Sequence, residues 1–250
     1  MHLEICVDSV ESAIAAEAGG AQRVELCSSL SEGGLTPSAG LMRAVRSRID
    51  IGIHVMIRPR SGDFLYSDDE LSIMRDDIAI AAQAGADGIV LGLLKANGDV
   101  DVERARELAD LARPMEATFH RAIDMSRNLE SSLESVIETG ANRILTSGAA
   151  VNAIQGSQRI ARLVQLAGDR IQVMVAGSVR PENIAQIAAA TGATHFHAAL
   201  RTAIPSAMKH ENRTVHLGAP GADDYMRYAT LAEDVRRLRR AIDSIESARP

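Results

Sequence analysis

The sequence predicts a TIM (β/α)8 barrel, a single domain spanning residues 1–250. Three observations predict it. First, four segments repeat one pattern: GAQRVELC from Gly20, GADGIVLG from Gly85, GANRILTS from Gly140 and GATHFHAA from Gly192. Each is Gly-Ala, two mostly polar residues and an apolar strand. Each follows a helical pattern such as SIMRDDIAIAAQA, so its Gly reads as the residue just past a helix C-terminus. Second, four further strand patterns fall between these: LEICV, IHVMIRP, MEATFHR and IQVMVAG. Third, every strand is followed by a loop and a helical pattern, giving eight consecutive strand–helix units. Such alternation implies a parallel sheet, and eight units suggest its closure. An open doubly wound sheet is the alternative, but no GxGxxG follows the first strand.

Alternation along each strand sorts the residues into two faces. In the odd strands one face holds Leu3, Ile5, Val7; Ile53, Val55, Ile57; Met115, Ala117, Phe119; and Ile171, Val173, Val175. The even strands supply Val24, Leu26; Ile89, Leu91; Ile144, Thr146; and Phe196, Ala198. This nearly apolar set should meet the surrounding helices. The opposite face, directed into the barrel, carries Glu4, Cys6, Glu25, Cys27, His54, Met56, Arg58, Thr118, His120, Ser147, Met174, His195 and His197. Barrel interiors are normally filled with branched aliphatics, so this concentration of ionisable groups and sulfur points to a site. Beyond the last strand, residues 201–222 lack periodicity and contain Pro205, Gly218, Pro220 and Gly221. They read as one long loop, a lid or an oligomer contact. Residues 223–248 read as the final helix, with Leu231, Val235, Leu238 and Ile242 as its apolar stripe.

Composition narrows the function classes. A net charge of −6 argues against a general nucleic-acid or anionic-membrane binder. No apolar run approaches the roughly 20 residues of a membrane span, and no signal-like segment opens the chain. Two cysteines in this setting suggest a reducing, cytoplasmic location. With aromatics at 2%, the core must be aliphatic.

Chemistry should collect where the strands end and the βα loops begin. Buried charges there should pair, Glu4 and Glu25 with Arg58, His120 or His197, because an unpaired one costs several kcal/mol. In RPRSGDFLYS, Arg58 and Arg60 suit carboxylate or phosphate recognition, although Asp63 or Asp68 could simply hold Arg60 on the surface. TFHRAID brings Thr118, His120, Arg121 and Asp124, and its histidine suits a general base, a ligand or a bonded core residue. Ser147 in TSGA is donor-rich, and Gly177 and Ser178 in AGSVRPEN precede a helix opened by Pro181, where barrels often bind anions. Cys6 and Cys27 end neighbouring strands on one face. They could pack as small hydrophobes, form a disulfide that a reducing compartment disfavours, or hold Cu(I) with Met56 or Met174 nearby. Zinc lacks an obvious full ligand set.

The strings LEICV, RVELC, EGGLTPS, HVMIRPRSGDFLYS, TFHRAIDM and RILTSG resemble the CutC family of copper homeostasis proteins over nearly the whole chain. The resemblance implies a TIM barrel, a cytoplasmic homo-oligomer (dimer or tetramer) and Cu(I) as cofactor. The family's copper-ligand cysteines fall on Cys6 and Cys27. AGSV after the seventh strand, Ala199 and the MKHEN segment depart from the family pattern. The loop residues also support another reading, a barrel enzyme for a small anionic or sugar-like substrate. There Glu25 and His120 would transfer protons beside Asp124, Arg58 and Arg60 would bind an anion, and Ser147, Gly177 and Ser178 would donate hydrogen bonds. A third reading makes Glu25, His120 and His197 ligands of a divalent metal.

Overall fold

The computed structural model describes residues 1–217 and 223–248. Eight parallel strands close into a barrel: β1 (His2–Val7), β2 (Arg23–Leu26), β3 (Gly52–Met56), β4 (Gly88–Leu91), β5 (Glu116–Phe119), β6 (Arg143–Thr146), β7 (Gln172–Val175) and β8 (His195–Ala198). β1 pairs with both β2 and β8, which completes the ring. Around it run α1 (Val10–Ala18), α2 (Ala39–Arg46), α3 (Asp68–Gln83), α4 (Val102–Leu111), α5 (Leu129–Glu138), α6 (Ser157–Ala167), α7 (Ile184–Thr191) and α8 (Ala232–Ser247).

Local chemistry sets these boundaries. Ser9, Ser38, Ser67, Asp101 and Asn128 cap helices α1 to α5, each accepting from a backbone N–H of the first turn. Ser67 and Glu70 form a reciprocal capping box. At the other ends Gly20, Gly85, Gly140 and Gly192 take φ between +70° and +93°, the left-handed turn expected of the repeated Gly-Ala. α7 starts at Ile184, three residues after the Pro181 expected to open it.

The two strand faces separate as the alternation requires. Leu3, Ile5, Val24, Leu26, Val55, Ile89 and Phe196 are fully buried against the helices. Each such aliphatic contributes about 1.5–3 kcal/mol by leaving water. Inside, the lower half of the barrel is filled by ions rather than aliphatics. Arg23 Nε donates to Glu4 Oε2 at 2.5 Å, and both side chains are buried. Arg143 donates to Glu116 Oε2 at 2.7 Å and to Thr118 Oγ1 at 3.2 Å. Arg23, the second polar residue after the first Gly-Ala, therefore takes the place expected of Arg58 as the main cationic partner of Glu4. This ionic layer floors the site above it.

The segment after β8 differs from the single loop expected over 201–222. β9 (Thr202–Pro205) pairs antiparallel with β10 (Met226–Ala229) as a short two-stranded ribbon. Residues 218–222 of that expected loop lie outside the described residues. The final helix starts at Ala232 rather than at residue 223, because 226–229 are taken up by the ribbon. Val235, Leu238 and Ile242 form its buried stripe, while Leu231 precedes the helix and is 40% exposed. Among the described residues, no helix is long and apolar enough to cross a membrane.

Candidate functional site

Above the ionic floor, β1, β2 and β8 bring two thiols, two carboxylates and an imidazole together. Cys6 pairs in register with Glu25, not with Cys27, which lies two residues farther along. Both side chains point inward, and the two Sγ atoms lie 3.8 Å apart. The thiols are free and buried. Met56 and Val90 pack against them from β3 and β4, with Leu30 and Ala199 beside. Gly34, at φ +90°, closes over the pair: a Cβ there would stand 3.1 Å from Cys27 Sγ. The glycines of EGG thus let backbone approach sulfur.

The carboxylates differ sharply in their surroundings. Burial would raise Glu4, but Arg23 and then His197 outweigh it and hold the carboxyl far below its ordinary range. Glu25 has no arginine. Burial raises it, with His197 opposing and the neighbouring Glu4 charge reinforcing the rise. His197 links the two, its Nδ1 2.6 Å from Glu4 Oε1 and its Nε2 3.9 Å from Glu25 Oε2. Burial opposes the charged imidazole, yet Glu25, the contact with Cys6 and Glu4 together hold it well above the usual histidine range.

The thiols resist ionisation. Cys6 is raised well above the ordinary value by its contact with Cys27, by burial and by Glu25. For Cys27 the contact with Cys6 pulls downward, but burial and Glu25 prevail and push it up to about 12. Glu25 Oε2 accepts from the Cys27 thiol at 3.5 Å. Among the described residues, two groups of three place donor atoms within 4.8 Å of one another: Cys6–Glu25–Cys27 and Glu4–Glu25–His197. The first suits a soft ion bound by sulfur. Its 3.8 Å separation lies within twice a metal–thiolate bond of about 2.3 Å. The second group is already engaged, because Glu4 is paired with Arg23.

A cavity of about 210 Å3 opens beside Cys6 and Glu25, and Arg58, Phe64, His120 and His197 also line it. His120 Nδ1 accepts from the Ala122 N–H at 3.1 Å, and the ring lies 5.0 Å from that of Phe64. Burial and then the Arg58 charge depress this histidine to about 3. Its Nε2 and Glu25 Oε1 are buried polar atoms with no hydrogen-bond partner.

The other expected residues are placed differently. Arg58 forms no ion pair with Glu4 or Glu25. Its guanidinium donates to the carbonyls of Glu32, Gly34 and Gly62 at 2.8–3.1 Å, tying the loop after β2 to the loop after β3. It also stands over the Phe64 ring at 5.0 Å. Arg60 lies at the surface on Asp63 and Glu70, outside the cavity. Asp124 collects Thr146 Oγ1, the N–H groups of Ser147 and Ala149, and Arg121 Nε. It therefore clamps the TSGA turn, and Ser147 lies within that clamp, its Oγ 3.0 Å from Asp124 and accepting from Arg121. Gly177 and Ser178, at φ +98° and +59°, form a turn packed on Ser147 and Ala153, away from the cavity lining. Met174 sits in the ionic floor, where it accepts from Arg23 at 3.3 Å. His120 and His197 share the cavity, but the three-donor groups that include Glu25 contain only His197.

Two other hollows are chemically poorer. One of about 300 Å3 lies among Gln172, Gly192, Thr194 and His195, away from the thiols. Another of about 200 Å3, beside Arg180, Arg201 and Arg237, already has Glu182 bound to Arg237 at 2.9 Å.

Comparison with known proteins gives a consistent set of relatives. The sequence model of the CutC family matches residues 1–202. A CutC family protein from Chromobacterium violaceum is 52% identical over 241 residues, covering 96% of this chain and 98% of its own. A human copper homeostasis protein cutC homolog is 45% identical over 237 residues, covering 94% of this chain and 87% of its own. A crystal structure from Streptococcus agalactiae that carries the name CutC, for copper homeostasis, superposes with a TM-score of 0.74. It is 33% identical and covers 79% of this chain and 97% of that one. Thiamine phosphate pyrophosphorylase from Pyrococcus furiosus, at 14% identity and a TM-score of 0.58, shares the fold alone.

Proposed function

The chain belongs to the CutC family of copper homeostasis proteins, and from that premise we propose that it binds Cu(I) between Cys6 and Cys27. The observation that carries this reading is the 3.8 Å separation of two reduced, buried sulfurs from adjacent strands. Cu(I) favours soft sulfur ligands over the oxygen and nitrogen donors around them. Copper is therefore read as cargo or regulated ion rather than as an agent of a reaction.

The surrounding residues supply the selectivity. Thiolates are the binding form, so the ion must displace protons that burial and Glu25 hold on sulfur. Glu25, already accepting from Cys27, is placed to take up such a proton, and the charged His197 beside it favours the thiolate. Met56 and Gly34 shut the sulfurs from water, which disfavours hard, strongly hydrated ions. The same chemistry suits a reducing cytoplasm, since an oxidising compartment would threaten the pair. Assembly into a homo-oligomer is part of this reading, on the strength of the family resemblance.

The test is an anaerobic titration of reduced protein with Cu(I) against a chromophoric competitor, repeated on the Cys6→Ser/Cys27→Ser variant. One-to-one binding that the variant loses supports the reading. Binding of equal strength in the variant sinks it.

A further inference from the structure

The cavity over Cys6 holds more polar chemistry than two sulfurs require. Glu25, Arg58 and His120 are at most 6% exposed, and each has one polar atom without a partner: Oε1, Nε and Nε2. Leaving such an atom buried and unsatisfied is unfavourable, because it has given up water without gaining a partner. All three residues line the same space. Phe64 connects two of them, at 5.0 Å from the Arg58 guanidinium and 5.0 Å from the His120 ring.

The sign of each group follows from its bonds. His120 Nδ1 accepts from the Ala122 N–H, so its hydrogen resides on Nε2, which is a donor. Arg58 Nε is also a donor, while Glu25 Oε1 is a carboxyl oxygen. The other cationic groups are largely engaged: the terminal nitrogens of Arg58 on three carbonyls, Arg121 through Nε on Asp124 and Nη2 on Ser147, and His197 through Nδ1 on Glu4. An anion entering here would meet no free guanidinium fork. The volume of about 210 Å3 lies below the roughly 300 Å3 at which ordinary ligand pockets begin, and apolar Leu30, Leu145 and Ala199 complete the wall.

We propose that this cavity binds a small neutral organic molecule bearing a carbonyl next to a hydroxyl. The carbonyl oxygen accepts from His120 Nε2–H, and the hydroxyl donates to Glu25 Oε1. This differs from the anion site that the arginines suggest in the sequence. It adjoins the proposed copper site, since Cys6 but not Cys27 lines the cavity, so the two are told apart by measuring Cu(I) affinity in parallel.

The test uses reduced, metal-free, full-length protein with hydroxyacetone as probe and lactate as an anion of matching size. Binding is read by saturation-transfer NMR and calorimetry, and each variant's Cu(I) affinity is read in parallel. Hydroxyacetone should bind at least about tenfold more tightly than lactate, a difference of about 1.4 kcal/mol. His120→Phe should weaken hydroxyacetone at least about tenfold, and His120→Gln, which restores an N–H donor, should recover part of that loss. Lactate binding as well as hydroxyacetone would overturn the proposal. So would equal hydroxyacetone affinity in wild type and His120→Phe, or no hydroxyacetone binding at all. Loss of Cu(I) binding alone would count only against the thiol reading.

Discussion

Cys6 is level with Glu25 across the β1–β2 ladder, yet its Sγ stands 3.8 Å from that of Cys27. The carboxyl of Glu25 is therefore built into the thiol pair rather than placed nearby by chance of folding. Cys6→Ser and Cys27→Ser should each weaken Cu(I) by more than about a hundredfold, beyond the usual cost of losing an outer partner. Glu25→Gln keeps both sulfurs and should weaken it by about 10–100-fold. Competition titration of the three single variants checks this order.

The ionic floor makes a stability prediction. Arg23→Met leaves Glu4 buried without its principal countercharge and should cost about 3–5 kcal/mol, read from urea unfolding. Arg23→Met combined with Glu4→Gln should recover much of that loss. Equal destabilisation by the single and double variants would show that packing, not charge, holds the floor.

Asp124 should matter for stability more than for copper. Its carboxylate accepts from two backbone N–H groups, Thr146 and Arg121, so Asp124→Ala orphans several donors and should cost about 3 kcal/mol or more. Cu(I) affinity of the folded fraction should stay within about threefold of wild type. Chemical unfolding and competition titration separate the two effects.

Acid should unfold the protein through its neutral histidines. His54 and His120 are depressed to about 3, burial being the largest cause in each. Unfolded, they titrate near 6.5, so from about pH 6.5 down to about 3 the unfolded chain binds protons that the fold refuses. Stability due to these groups is full above 6.5 and falls with pH across that window. His197 works oppositely: raised in the fold, its contribution is complete below 6.5 and lost as pH climbs through its folded value. Urea midpoints at pH 7, 5.5 and 4.5 should decline, and His120→Gln should flatten the decline.

Much of this was legible in the sequence because barrels impose a strict alternation. The Gly-Ala repeat marked helix ends, and the parity of LEICV and RVELC identified the inward sulfurs and carboxylates. Arg23 and Arg143 escaped notice because each closes a polar dipeptide after Gly-Ala and reads as loop, although it is the first inward residue of its strand. The β9–β10 ribbon was hidden for another reason. Most of its residues are exposed or half-buried, so neither strand has the alternation of a half-buried one. Arg58 had the right location but a different task, since nothing in RPRSGD reveals that three backbone carbonyls converge on it. Sequence patterns report which side of a strand a residue occupies. They do not report which of several acceptors a long cationic side chain will choose.

A last consequence comes from two small inward residues, Gly88 at the start of β4 and Gly92 just past its end. A Cβ on Gly88 would stand 2.5 Å from the His54 ring, and one on Gly92 would stand 2.4 Å from His120 Nδ1. Both imidazoles occupy room that this strand declines to use. Each glycine and its facing ring therefore form an ordered pair in any mutational history. Enlarging the glycine first evicts the ring, and at Gly92 losing the ring still leaves the Ala122 Cβ only 2.9 Å away. Anyone redesigning this barrel would find that a new inward group can be grafted onto this wall only after its neighbours have been trimmed.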